Sequence, residues 1–316
     1  MTRRDNSTPA DPGRRDAMKC MSWAGAGVLW TISGGVASSV LAGGAEAAPR
    51  TSGTLDFVQI SDTHIGFDKA ANPDTLGTMK AAIAKIKALP VRPAFAIHTG
   101  DITHLSKADE FDTADQMLKD LNVPIFYTPG EHDTLDEGNG TLFLQRYGKE
   151  TVGGKGWRSY DVAGVHFIGL VNTIGLNPDG QGRLGAEQTA WLAKDVAHLS
   201  ASTPIVVYAH MPLFDAYVPW GWGTVDAQPA LAPLRRFGSV TVLNGHIHQV
   251  ITKTEGAITF HTARSTAYPQ AAAGTPGASP GPLKVAADQL RGVLGVRQID
   301  RVHGHGPLTL VDQTLA

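Results

Sequence analysis

Cysteine is almost missing from this sequence: Cys20 is the only one in 316 residues. No disulfide can form within the chain, and a metal site built on thiolates is excluded. Charge is sparse as well, with Asp, Glu, Lys and Arg together at 18% and a net charge of −2. That balance gives no nucleic-acid-binding signature and no electrostatic case for an anionic membrane surface. Internal repeats and domain linkers are also lacking, so the body of the chain reads as one domain, large enough to bury a core. The 42% apolar content is that of an ordinary globular protein.

The first residues read differently. Arg14-Arg15-Asp16-Ala17-Met18-Lys19 is a twin-arginine pair with a trailing lysine, followed by a Gly/Ala-rich, weakly apolar run over residues 21–44. Ala45-Glu46-Ala47 then supplies the small-x-small pattern of a signal-peptidase site. The segment resembles a bacterial twin-arginine signal, with Ala17 where phenylalanine is usual. The alternative is an uncleaved membrane anchor, since the run is nearly long enough to span a bilayer. The signal reading implies a mature domain over residues 48–316, with 22 basic and 25 acidic residues and no cysteine. It also implies passage through the twin-arginine export machinery to the periplasm or the extracellular space.

Along the body, short apolar runs each end in residues that bind metals. Residues 55–60 run into Asp62-Thr63-His64, and residues 94–99 into Gly100-Asp101. Residues 123–127 lead to Gly130-Glu131-His132-Asp133, residues 204–209 to His210, and residues 240–243 to Gly245-His246-Ile247-His248. Between the first three runs, Leu76, Met79, Ile83 and Ile86 mark a helix stopped by Pro90. Phe111, Ala114, Leu118 and Leu121 mark a second helix, with Ser106 as its expected cap. Strand, helix, strand, helix, strand implies right-handed crossovers and a parallel sheet. In such sheets ligands gather at the carboxyl ends of strands, where these clusters fall. A strand pair is expected over residues 157–172, turning at Ala163-Gly164, and a helix through Trp191 and Leu192. Residues 251–262 are expected to close a second sheet, and residues 263–316 to be an irregular extension.

In this order the motifs resemble those of the calcineurin-like metallophosphoesterase superfamily: DxH, GD, an altered GNH[D/E], a lone histidine and GHxH. Gly182, Leu184, Gln188, Trp191 and Leu192 are similar to a helix of its cyclic-nucleotide phosphodiesterase-like branch. The resemblance covers about residues 55–262. It implies an α/β fold, a four-layer αββα sandwich, with two divalent or mixed-valence transition metal ions (Mn, Fe or Zn) at the strand ends. Asp62, His64 and His248 would hold the first, His210, His246 and Glu131 the second, and Asp101 would bridge them. A carboxylate has two oxygens and can span two cations, while neutral imidazoles complete each shell without adding charge. The implied reaction is attack on a small phosphoester, a phosphodiester by the branch resemblance, by a hydroxide held between the metals. His132, oriented by Asp133, would stabilise phosphoryl oxygens or protonate the leaving oxygen.

Glu131 departs from the pattern, standing where the family has asparagine. It adds negative charge and removes an NH₂ donor. The alternative function is therefore an exported metal-binding protein on the same scaffold, non-hydrolytic or of changed substrate. His104, Trp220 and Trp222 are further candidates for contact with substrate, the tryptophans through stacking surface. His98 reads as a hydrogen-bonded core residue, and His166, His198 and His261 as structural or surface residues. His303 and His305 form a second HxH in a glycine-rich tail.

Overall fold

The structure is a computed structural model and describes residues 27–33, 36–42, 54–302 and 308–316. The twin-arginine pair, the Ala45-Glu46-Ala47 site and His303/His305 lie outside the described residues. Within the N-terminal segment, β1 (Gly27–Ser33) and β2 (Val36–Ala42) form an antiparallel two-stranded sheet of their own. Among the described residues no helix is long and apolar enough to cross a membrane.

Two larger sheets make up the body. β3 (Thr54–Ile60), β4 (Phe95–His98) and β5 (Ile125–Tyr127) run parallel, joined by α1 (Thr75–Lys87) and α2 (Ala108–Leu118). A short helix, α3 (Thr141–Tyr147), leads into the second sheet. There β6 (Arg158–Val162) and β7 (Val165–Gly169) form the expected hairpin over Ala163-Gly164, both at positive φ. Next come α4 (Ala186–Val196), β8 (Ile205–Tyr208), α5 (Ala227–Leu231), β9 (Val240–Asn244), β10 (Thr252–Glu255) and β11 (Ile258–Thr262). The sheet order is β10-β11-β9-β8-β7-β6, with β7, β8, β9 and β11 parallel.

The irregular extension expected over residues 263–316 holds only as far as residue 289. After α6 (Leu290–Val293), β12 (Gly295–Val302) pairs antiparallel with β3, and β13 (Thr309–Thr314) pairs with β12, giving the order β13-β12-β3-β4-β5. β12 carries charge that hides it in sequence. Its Arg297 is buried, and its guanidinium meets Asp312, Gln59 Oε1 and the carbonyl of Thr262 at 2.8–3.2 Å.

Side-chain alternation along the strands sorts the core into three layers. Phe57, Phe95, Ile97, Phe167, Val206, Tyr208 and Ile299 fill the space between the sheets. Val58, Ile60 and Ala96 point outward onto α1 and α2, packing with Met79, Ile83, Phe111 and Leu118. On the far side Ile205, Val207 and Val242 meet Leu192, Val196 and Leu231 of α4 and α5. The result is the four-layer αββα sandwich, with the carboxyl ends of β3, β4, β5, β8 and β9 at one rim.

Candidate metal centre

Each predicted ligand leaves a strand at that rim. Asp62 and His64 follow β3, Asp101 follows β4 and Glu131 follows β5, while His210 follows β8 and His246 and His248 follow β9. The loops are tied to one another before any ligand is considered. The backbone N–H of Asp62 donates to Gly100 O at 3.0 Å, and that of His64 to Asp101 O at 2.9 Å. Between the sheets, His246 N–H donates to Asp62 Oδ1 at 3.0 Å, and within the second sheet Gly245 N–H donates to His210 O at 2.9 Å.

Backbone strain is concentrated here. Among the described residues nine non-glycine residues have positive φ, and five of them are Asp62, His64, Asp101, His246 and His248, at 41–69°. Each costs about 1–3 kcal/mol and persists because the surroundings enforce it, so the fold gives up stability to turn these side chains inward. Two glycines make room. A Cβ on Gly100, itself at φ +94°, would lie 2.5 Å from His210 Nδ1, and one on Gly130 would overlap Asp101 Oδ1.

The predicted ligands fall into two groups, one of Asp62, His64, Asp101 and His248, the other of Glu131, His210 and His246, and His132 clusters in turn with Asp101 and Glu131 and with His64 and His104. Asp101 Oδ2 lies 3.4 Å from both His64 Nε2 and His210 Nε2, at the border of the two groups. His210 Nδ1 donates to Thr99 O and His248 Nδ1 to Tyr268 O, each at 2.6 Å, which leaves both Nε2 lone pairs facing the centre.

The second group fits a cation on its own evidence. Glu131 Oε2, His210 Nε2 and both ring nitrogens of His246 are buried without a hydrogen-bond partner. Yet His210 Nε2 is 2.8 Å from Glu131 Oε2, and His246 Nδ1 is 2.9 Å from Glu131 Oε1. These atoms converge on a shared point rather than on each other, as donors around a metal do. Orphaned buried polar atoms of this kind are costly without a partner. Oxygen and nitrogen donors without sulfur suit Mn, Fe or Zn.

Charge balance favours ligation. Burial alone would raise the Glu131 carboxyl, but His246 and His210 hold it well below the usual range. Burial raises Asp62 as well, and His248 and His210 outweigh it. Burial and the neighbouring His132 keep His64 neutral far below its ordinary pKa, as an imidazole ligand requires.

His132 sits at the rim, where its backbone N–H donates to Asp101 Oδ1 at 2.9 Å and its ring stacks on His104 at 4.8 Å. Asp133 does not orient it. The His132 ring is held through Nδ1–H to His104 O at 2.7 Å, which directs Nε2 away from that contact. Asp133 is fully buried, and its carboxylate accepts from the backbone N–H groups of Ile102, Thr103 and Gly130 and from the Thr103 hydroxyl. It fastens the Asp101 loop to the Glu131 loop, and burial with Asp101 nearby raises its pKa to about 7. Ser106 likewise does not cap α2; its hydroxyl bridges His132 O and Leu135 N, and Glu110 receives the N–H groups of Leu105 and Lys107.

A cleft of about 270 Å³ opens over the two groups. His104, Trp220 and Trp222 all line it, together with Lys69. The two indoles pack edge to face at 5.0 Å, Trp222 being buried. Burial and His132 hold the His104 pKa at about 4. His98 lies under the centre, meeting Thr63 Oγ1 at 3.1 Å and accepting Gly100 N–H at 3.2 Å. Sequence reasoning missed Tyr268 and Gln270, which form part of the cleft wall from beyond the last motif. Nothing in the local sequence announces them, because their contacts exist only once residues 263–282 fold back over the rim.

The profile described as calcineurin-like phosphoesterase matches residues 55–250. The chain belongs to the calcineurin-like phosphoesterase family. Its clustered carboxylates and imidazoles are accordingly those of a metal-dependent phosphoester hydrolase. A relative from Rhodopseudomonas palustris, named a probable cyclic nucleotide phosphodiesterase, is 24% identical over 230 residues, 68% of this chain and 79% of its own length. One from Arcobacter nitrofigilis, named a probable glycerophosphodiester phosphodiesterase, is 27% identical over 222 residues, 67% of this chain and 78% of its own. Among solved structures, a dimetal phosphatase from Danio rerio superposes with a TM-score of 0.60, covering 83% of this chain and 99% of that one. At 14% identity it shows that this calcineurin-like phosphoesterase shares the fold, and nothing more.

Proposed function

We propose that the protein is an exported phosphodiesterase with a two-metal centre. The observation that carries the two-metal reading is the position of Asp101 Oδ2, 3.4 Å from a ligand nitrogen of each group. In this reading Asp62, His64 and His248 hold one ion and Glu131, His210 and His246 the other, with Asp101 between them. Ions there would neutralise phosphoryl charge and make water acidic enough to supply a nucleophile near neutral pH. The chain's own part is positioning and proton transfer. His132, with Nδ1–H committed to His104 O, offers Nε2 to the leaving oxygen. Burial lowers its pKa, but Asp101 and Glu131 raise it above the ordinary value. Lys69 brings positive charge to the cleft for a phosphate, and Trp220, backed by the buried Trp222, presents aromatic surface to the group beyond it.

The names of the Rhodopseudomonas and Arcobacter relatives support diesters over monoesters. The test is hydrolysis of an aryl phosphodiester and its monoester after chelation, then after adding back Mn, Fe or Zn. Metal-restored turnover faster on the diester is expected. Bound metal with no turnover of either ester would instead favour a metal-binding protein in which Glu131 blocks phosphate. Export rests on Arg14-Arg15 and Ala45-Glu46-Ala47. Replacing both arginines by lysine is expected to retain the protein in the cytoplasm, and unchanged fractionation would remove this part of the proposal.

A further inference from the structure

We propose that Tyr268 is a further substrate-contacting residue, its phenolic O–H donating to an oxygen of the bound phosphate. The inference rests on the phosphodiesterase reading above.

Residues 263–271 lie beyond the stretch matched by the family profile, yet they are fastened to the metal centre at several points. Ser265 Oγ–H donates to Asp62 O at 2.7 Å, and Asn72 Nδ2–H donates to Ala267 O at 2.6 Å. The Tyr268 carbonyl accepts His248 Nδ1–H, and Gln270 Nε2–H donates to His246 O at 2.7 Å. Tyr268 is thereby fixed at the cleft wall. Its ring packs on His64 and His248 with centroids at 4.7 Å, and on Phe67 at 4.4 Å.

The phenol oxygen lies 3.1 Å from His64 Nε2. That nitrogen is the one facing Asp101 Oδ2 and His248 Nε2, and so it is the ligating atom. An imidazole nitrogen has one lone pair, and a metal ion at Nε2 would take it. The buried phenol O–H then loses its acceptor, and a donor left without one is costly. The opening beside it is the cleft, where a phosphoryl oxygen is the acceptor the reaction itself brings. Without substrate only cleft water is left to accept that O–H, and a bound phosphate offers it a charged acceptor in exchange.

Tyr268→Phe keeps the ring packing and the backbone carbonyl and removes only the hydroxyl. The experiment compares wild type and this variant, both full-length and reloaded with manganese, for metal content, inorganic phosphate affinity and kcat/KM on an aryl diester. Unchanged metal content is expected, with phosphate affinity and kcat/KM each lowered about tenfold, the worth of one hydrogen bond to a charged oxygen. Unchanged phosphate affinity would overturn the inference, because the ring alone would then matter. Loss of metal in the variant would also overturn it, making the phenol a ligand. Weakened phosphate binding in a protein whose wild type turns over no ester would sustain Tyr268 and defeat the phosphodiesterase reading instead.

Discussion

Glu131 brings a carboxylate into a place where the family pattern has a neutral amide, and both of its oxygens lie within 2.9 Å of a histidine nitrogen. As a ligand it lends charge to the cation and takes attraction away from an incoming phosphate. Glu131→Asn removes that charge and adds an NH₂ donor. The variant should hold its metal and be inhibited by inorganic phosphate at concentrations roughly tenfold lower. An unchanged inhibition constant would mean that the carboxylate charge is already fully offset. Asp101→Ala or His246→Ala should lower turnover by more than about a hundredfold while circular dichroism stays native, since each removes a ligand and little packing. Full activity in either would rule out the centre. The clustering of these carboxylates and imidazoles was legible because ligation needs particular residue types at strand ends, and sequence displays both. The work of Asp133 was not legible. Its partners are backbone amides of two loops, and only tertiary structure shows those.

The elements carry the ligands on loops that have little freedom. Gly130 abuts Asp101, so any side chain there pushes the Asp101 carboxylate out of place. Gly130→Ala is expected to cost about 1–3 kcal/mol in denaturant unfolding and most of the bound metal. Wild-type stability together with full metal occupancy would contradict it. Away from the rim, β6 and β7 are fastened to α4 by His166, which meets Asp161 and Asp195 at 2.9 Å on either side. Burial lowers its pKa, but those two carboxylates raise it above 6.5. A pKa raised by folding stabilises fully below the unfolded value, and the contribution disappears as pH rises through the folded one. His166→Gln should therefore destabilise more at about pH 5.5 than at about pH 8, and equal losses at the two pH values would refute the pairing. The parallel strands and the first two helices were readable from apolar spacing. β12 was not, because its buried arginine is neutralised by Asp312 on β13, a partner fifteen residues away in sequence.

The whole molecule sets two sheets face to face, each with its own helices, so that loops from both meet at one rim. Phe57, Phe167, Tyr208 and Ile299 hold the sheets in register from between, and the ligands from either sheet complete the site only while that packing persists. Metal binding and sheet packing are therefore coupled, and reloaded protein should melt at a higher temperature than chelated protein. The sandwich could be inferred from the order of motifs. The closure of the cleft by residues 263–282 could not, since it follows from contacts between distant parts of the chain. The most direct test of a centre shared across the two sheets is a count of metal ions per chain, by elemental analysis of chelated protein reloaded with a single metal. Two ions per chain in wild type, and loss of both in Asp101→Ala, is the result a carboxylate-bridged pair predicts. One ion per chain in wild type, or two retained without Asp101, would contradict it.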